Sequence, residues 1–230
     1  MDLMRTILGL DKENNRKSNY IIALSSARCL TGRNPLDGTA SSINDMRCNL
    51  LNIDNIHCND KQLRNEQPID EKMMIGLTIY LILLDLIGCL FEKKDSFIKY
   101  KNGVKKALSL FSSLKDEEIE AINNLRNTLA HNFGLATEIR YDKRGKEIKG
   151  RKFTLSFSDH DPIIRLPIKE WDTKYEDKSE DTSTIIGIYA FCNEIEQVIK
   201  NLMDTYHLGE LKFNKSLSEE EIISRFTVRM

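Results

Sequence analysis

Three polar side chains stand together near the middle of the chain: Arg126, Asn127 and His131, within Leu125-Arg126-Asn127-Thr128-Leu129-Ala130-His131-Asn132-Phe133-Gly134. Histidine titrates near neutral pH, so one imidazole can take a proton from an oxygen or give one back. Arginine keeps its charge, and its planar fork matches two oxygens of a phosphate. An amide beside them can orient either group, because it both donates and accepts hydrogen bonds. These are groups that breaking a phosphodiester calls for: a proton carrier, and fixed positive charge over the crowded phosphate. RNA brings its own nucleophile to such a site, the 2′-hydroxyl, which DNA lacks.

The element that must hold them is a helix. Ile119, Ile122, Leu125, Leu129 and Phe133 recur at the spacing of one helical face. Asn127 and His131 are four residues apart and share the opposite face, with Arg126 between the two faces and long enough to bend toward His131. Gly134 offers the helix its C-terminal end. Ser113 to Asp116 reads as its capping start.

Arg126-Asn127, three residues and then His131, on an amphipathic helix that follows a long apolar one, resembles the signature of the HEPN superfamily. The likeness takes in the whole signature and, in outline, residues 70–207. It implies a mainly α fold, a HEPN-like helical bundle. It also implies a metal-independent endoribonuclease that cuts single-stranded RNA by 2′-hydroxyl attack, leaves a 2′,3′-cyclic phosphate and needs no cofactor. In that reading His131 moves the proton, Arg126 grips the scissile phosphate and Asn127 orients one or both. One motif supplies one imidazole, and HEPN domains commonly pair so that two motifs face each other. A homodimer is therefore expected, with His131 of each chain near the two-fold axis. The same resemblance points to a toxin or phage-defence role, with an antitoxin or regulatory partner. Other HEPN-like domains cut nothing, and a module that binds a nucleotide or a protein is the alternative.

Composition bounds these readings. The 230 residues are 40% apolar and 30% charged, ordinary values for a globular protein with one sizeable core. A net charge of −1 gives no overall basic footprint, so any RNA contact must rest on local patches. Cys29, Cys48, Cys58, Cys89 and Cys192 are odd in number and scattered, which reads as reduced thiols in a cytoplasmic protein. His57, Cys58 and Cys48 fit no common zinc spacing, so no metal site is expected. Met1 to Lys17 is too charged for a signal peptide. Met73 to Phe91 is apolar enough to raise the question of a membrane span, but Asp85 interrupts it at a cost of about 2.5–3.5 kcal/mol near a bilayer centre. A buried bundle helix is the preferred reading.

The chain reads as a single domain over 1–230. Residues 1–68 form an N-terminal segment with a helix over Ser18 to Leu30, a loop over Arg33 to Ser42 and a short helix within Ile43 to Ile56. Core helices that carry the motif fill 70–134, starting with Asp70 to Glu92, which Asp70 would cap. Asp85 must then be paired or neutral, either as a structural bond or as an orienting partner for Arg126 or His131. A basic amphipathic helix is expected over Asp95 to Ser112, with Phe97, Val104, Leu108 and Phe111 inward. Lys93, Lys94, Lys99, Lys101, Lys105 and Lys106 would form its solvated face.

Between 137 and 168 the pattern changes to alternation. Thr137 to Tyr141 and Lys152 to Phe157 predict a β-hairpin insertion, with a third short strand at Ile163 to Ile168. Its basic tip is Arg140, Lys143, Arg144, Lys146, Lys149, Arg151 and Lys152, set against Glu138, Asp142 and Glu147, and it serves either to bind RNA phosphates, with Arg140, Lys143 and Arg144 as the substrate-binding groups, or as a solvated turn. His160, between two aspartates and before Pro162, reads as a turn residue. Trp171 anchors a mixed-charge loop over Lys169 to Asp181. A closing helix spans 182–207, with Ile186, Tyr189, Ala190, Asn193, Val198 and Leu202 inward. The tail, 208–230, ends in a short helix capped by Ser218 and Glu221.

Overall fold

In the computed structural model the described residues are 2–11, 16–39, 71–132, 134–141, 145, 147–158, 160–177 and 179–229. About half of them lie in seven helices, with short strands between, so the chain is mainly α. The main chain divides into two compact units, the first made of 1–112 with 198–230 and the second of 113–197. The expected cap Asp70, the helix within Ile43 to Ile56 and the Cys48, His57 and Cys58 group lie outside the described residues.

The first unit is built on one apolar helix. Helix α1 (Leu3–Ile7) and strand β1 (Arg16–Ser18) lead into α2 (Asn19–Leu30). Ser18 caps α2 by accepting from Ile21 N at 3.2 Å, and its own hydroxyl donates to Ile7 O. The apolar helix α3 (Glu71–Leu90) packs against both α2 and α4 (Gly103–Phe111). By length and composition α3 alone among the described helices could cross a membrane, yet 56% of Met73–Leu90 is buried within the protein. Tyr80, Leu81, Leu83, Leu84 and Ile87 fill the core. Its burial is less complete than its sequence suggests, since Ile75 and Ile82 remain 48% and 42% exposed. Gly88 and Gly103 let α3 and α4 approach, because a side chain on Gly88 would collide with the main chain of Gly103. Asp85 lies half-buried against Gly103 in the same contact.

Strand β2 (Phe91–Lys93) pairs antiparallel with β9 (Leu211–Phe213), stacking Phe91 on Phe213. The tail helix α7 (Glu219–Phe226) has the expected capping box of Ser218 and Glu221. After it, β10 (Thr227–Arg229) pairs with β1 and ties the last residues of the tail to the N-terminal segment.

Two expectations fail in this unit. The helix expected from Asp95 begins only at Gly103, where Asn102 caps it through Lys105 N at 3.2 Å. Residues 96–102 are irregular, and Phe97, expected in the core, is 88% exposed. Lys106, expected on the solvated face, is buried and forms a 2.9 Å ion pair with buried Glu92. Val104, Leu108 and Phe111 point inward as their spacing implies.

The second unit carries α5 (Asp116–Asn132), a four-stranded sheet and the start of α6 (Ile188–His207). The hairpin forms in two short ladders. Strand β3 (Ala136–Thr137) pairs with β6 (Arg151–Ser156), and β4 (Arg140–Tyr141) with β5 (Glu147–Ile148). Along β6, Phe153 and Leu155 are buried while their neighbours are less so, the alternation a half-covered strand requires. The third strand, β7 (Ile164–Arg165), exists but does not join the hairpin. It pairs antiparallel with β8 (Ser183–Gly187), which lies parallel to β6 and is buried throughout.

Strand β8 corrects the closing helix, which starts at Ile188 rather than at residue 182. Asn193 is exposed, and the inward side of α6 is Ile188, Phe191, Cys192, Ile195, Val198 and Leu202. Trp171 does anchor its loop, buried, with Nε1 donating to Lys174 O at 3.1 Å. His160 is an exposed turn residue, as expected.

Candidate functional site

Helix α5 positions the motif. Its N-terminus is held by Glu118, whose carboxylate accepts from Lys115 N at 2.7 Å. Asp116, Glu117 and Glu118 in the first turn oppose the positive end of the helix dipole. Ile119, Ile122, Leu125 and Leu129 are buried along one side, so the apolar face is the one its periodicity marks.

Arg126 and Asn127 are both half-buried. The Arg126 guanidinium is turned along the helix, with Nη1 donating to Asn127 Oδ1 at 3.2 Å. Asn127 thus offers its amide oxygen to the arginine as an acceptor. His131 lies on α5 one turn after Asn127, and residues at that spacing have Cβ atoms about 5–6 Å apart. Phe133 lies outside the described residues, as do Lys143 and Arg144. Arg140 lies in β4, opposite Ile148.

Two lysines of the expected basic tip are engaged with the protein itself. Lys149 pairs with Glu170, and Lys152 Nζ donates to the carbonyls of Asp177 and Ser179.

Sequence reasoning passed over two features of this unit. Asn123, one turn before Asn127, is only 6% exposed, and its Oδ1 has no hydrogen-bond partner among the described residues. Its signal was available: positions 123, 127 and 131 form a polar strip at four-residue spacing. The second is Glu194 on α6, whose carboxyl is held above the usual glutamate range by burial and then by the charge of Glu118. Glu118 is eight residues before Arg126 on α5, about 12 Å along the axis.

Among the described residues no cluster of three or more histidine, cysteine, aspartate or glutamate side chains could hold a metal ion. No family model, curated protein or solved structure matches the chain.

Proposed function

We propose that the chain is a HEPN-type, metal-independent endoribonuclease that cleaves single-stranded RNA through attack by the 2′-hydroxyl. The observation that carries this reading is the Arg126 guanidinium held on Asn127 Oδ1, one helical turn from His131. A guanidinium fixed before substrate arrives loses less freedom on gripping a phosphate. His131 takes the proton from the 2′-oxygen or delivers one to the 5′-oxygen leaving group, and the 2′-oxygen closes on phosphorus as the P–O5′ bond breaks. The products are a 2′,3′-cyclic phosphate and a free 5′-hydroxyl. Arg126 stabilises the added negative charge on the equatorial oxygens. We place the protein in the cytoplasm, in a toxin or phage-defence role with an antitoxin or other regulatory partner.

The test is a cleavage assay on purified protein with labelled single-stranded RNA in the presence of EDTA. Cleavage should survive chelation, and His131→Ala should lower its rate by at least about 100-fold, the scale of a positioned acid or base, with the thermal midpoint unchanged. A rate equal to that of the unsubstituted chain would remove His131 from the mechanism. An absence of cleavage by the unsubstituted chain across RNA substrates would favour a binding module.

A further inference from the structure

The segment between β2 and α4, where the spacing predicts helix with a solvated lysine face, is irregular over residues 96–102. Its structure assigns it more. Residues 93–106 hold six lysines against one aspartate, in a chain whose net charge is only −1. One of the six, Lys106, is buried on Glu92. The others lie between the two partners of that ion pair, so Glu92 and Lys106 close the base of a positively charged loop.

The loop is fastened at both ends. Lys94 N donates to Glu210 O at 2.8 Å on one side, and Asn102 caps α4 on the other. At its outer part Phe97 is 88% exposed, followed by exposed Ile98. An exposed phenylalanine on a fastened loop gains nothing from the core, which makes it a candidate contact for something outside. In the same loop the ammonium groups of Lys99 and Lys105 lie 5.2 and 5.9 Å from the centre of the Tyr100 ring. Exposed Lys101 adds a further charge.

We infer that this loop is a docking surface for single-stranded RNA, with Phe97 as a stacking platform for a base and Lys99, Lys101 and Lys105 as partners of the flanking phosphates. Single strands are bound in this way without sequence readout, because every base has a flat face and every linkage a charge. An anionic membrane would also attract the lysines. One phenylalanine and one isoleucine, however, offer little apolar area for insertion, and stable anchoring takes more than one such signal. The choice of RNA as the strand rests on the ribonuclease reading, whereas the binding chemistry of the loop does not.

The experiment separates the two. A fluorescein-labelled, 2′-O-methylated uridine 12-mer cannot be cut by 2′-hydroxyl attack, so its anisotropy reports binding alone to the full-length chain. Phe97→Ala should weaken binding by about 5- to 100-fold, the value of one stacked base, with an unchanged melting curve because the side chain is exposed. Lys99→Ala with Lys101→Ala should reduce the slope of log affinity against log salt by about 1.4, from about 0.7 per phosphate contact. Binding and salt slope untouched by these changes would overturn the inference. So would Phe97-dependent capture by phosphatidylserine vesicles without Phe97-dependent binding of the oligonucleotide. Loss of oligonucleotide binding in Phe97→Ala with no RNA cleavage by the unsubstituted chain would leave the docking surface standing and remove the nuclease.

Discussion

At the scale of single residues, the motif and its surroundings differ in how charge is managed. Arg126 is half-buried, and its Nη1 donates to the neutral amide oxygen of Asn127. Had an aspartate stood at 127, an ion pair would compete for the guanidinium. Glu194 shows the opposite arrangement. Burial and the nearby Glu118 carboxylate both disfavour its charged form, and its carboxyl is raised above its ordinary value, about 4.3 in the unfolded chain. The folded state therefore binds the proton more tightly than the unfolded state, and stability falls as pH rises from about 4.3 through the folded value. Above that window the strained carboxylate is a fixed burden, reduced by solvent because the group is only partly buried. Glu194→Gln should accordingly raise the thermal midpoint at pH 7 by about 1–3 °C and flatten the dependence of stability on pH in the acid range. Differential scanning fluorimetry from pH 4 to 8 measures both; a midpoint lowered at pH 7 would show that the carboxylate is favourably bound instead.

At the scale of elements, the ion pair that closes the 93–106 loop sets a sharper expectation. Glu92 and Lys106 are both nearly inaccessible and 2.9 Å apart. Lys106→Met keeps the length and the apolar stem but leaves a buried carboxylate without its cation, which costs about 3–5 kcal/mol. Pairing it with Glu92→Leu should recover most of that loss, since an apolar pair carries no charge to desolvate. Urea denaturation of the two variants checks the difference; equal stability of single and double variants would mean that the pair is not what holds the loop base. The sequence could not show this pair, because Glu92 and Lys106 are fourteen residues apart and Lys106 sits among lysines that look alike. Helices α2, α3 and α5 were legible, since apolar character over Ser18 to Leu30 marks the first, apolar length defines the second and the spacing of Ile119, Ile122, Leu125 and Leu129 defines the third. Strand β8 was not. Its Thr184-Ile185-Ile186 runs straight into the apolar face of α6, and a short buried strand has no period to separate it from a helix. Gly187 held the missing signal: a Cβ there would fall 2.5 Å from Pro162 O, so the strand ends on a close backbone contact that only glycine permits.

At the scale of the whole molecule, the ribonuclease reading needs more than one chain contains. Acid and base catalysis call for two proton-handling groups, and each chain contributes one imidazole at the motif. In the ribonuclease reading we propose, a two-fold pairing of chains would bring a second His131 to the site, with a single surface serving both partners. The expected mass by light scattering is then about twice the 26.6 kDa of one chain. Mass alone does not show that the copies share a site, so the decisive measurement is mixing. When unsubstituted and His131→Ala chains are denatured together in equal amounts and refolded, half of the dimers are mixed, each with a single imidazole. A site that needs both histidines leaves roughly one quarter of the activity, whereas independent sites leave one half. One half remaining, or full activity from a strict monomer, would remove the shared site and return the second proton-handling role to a group within the chain.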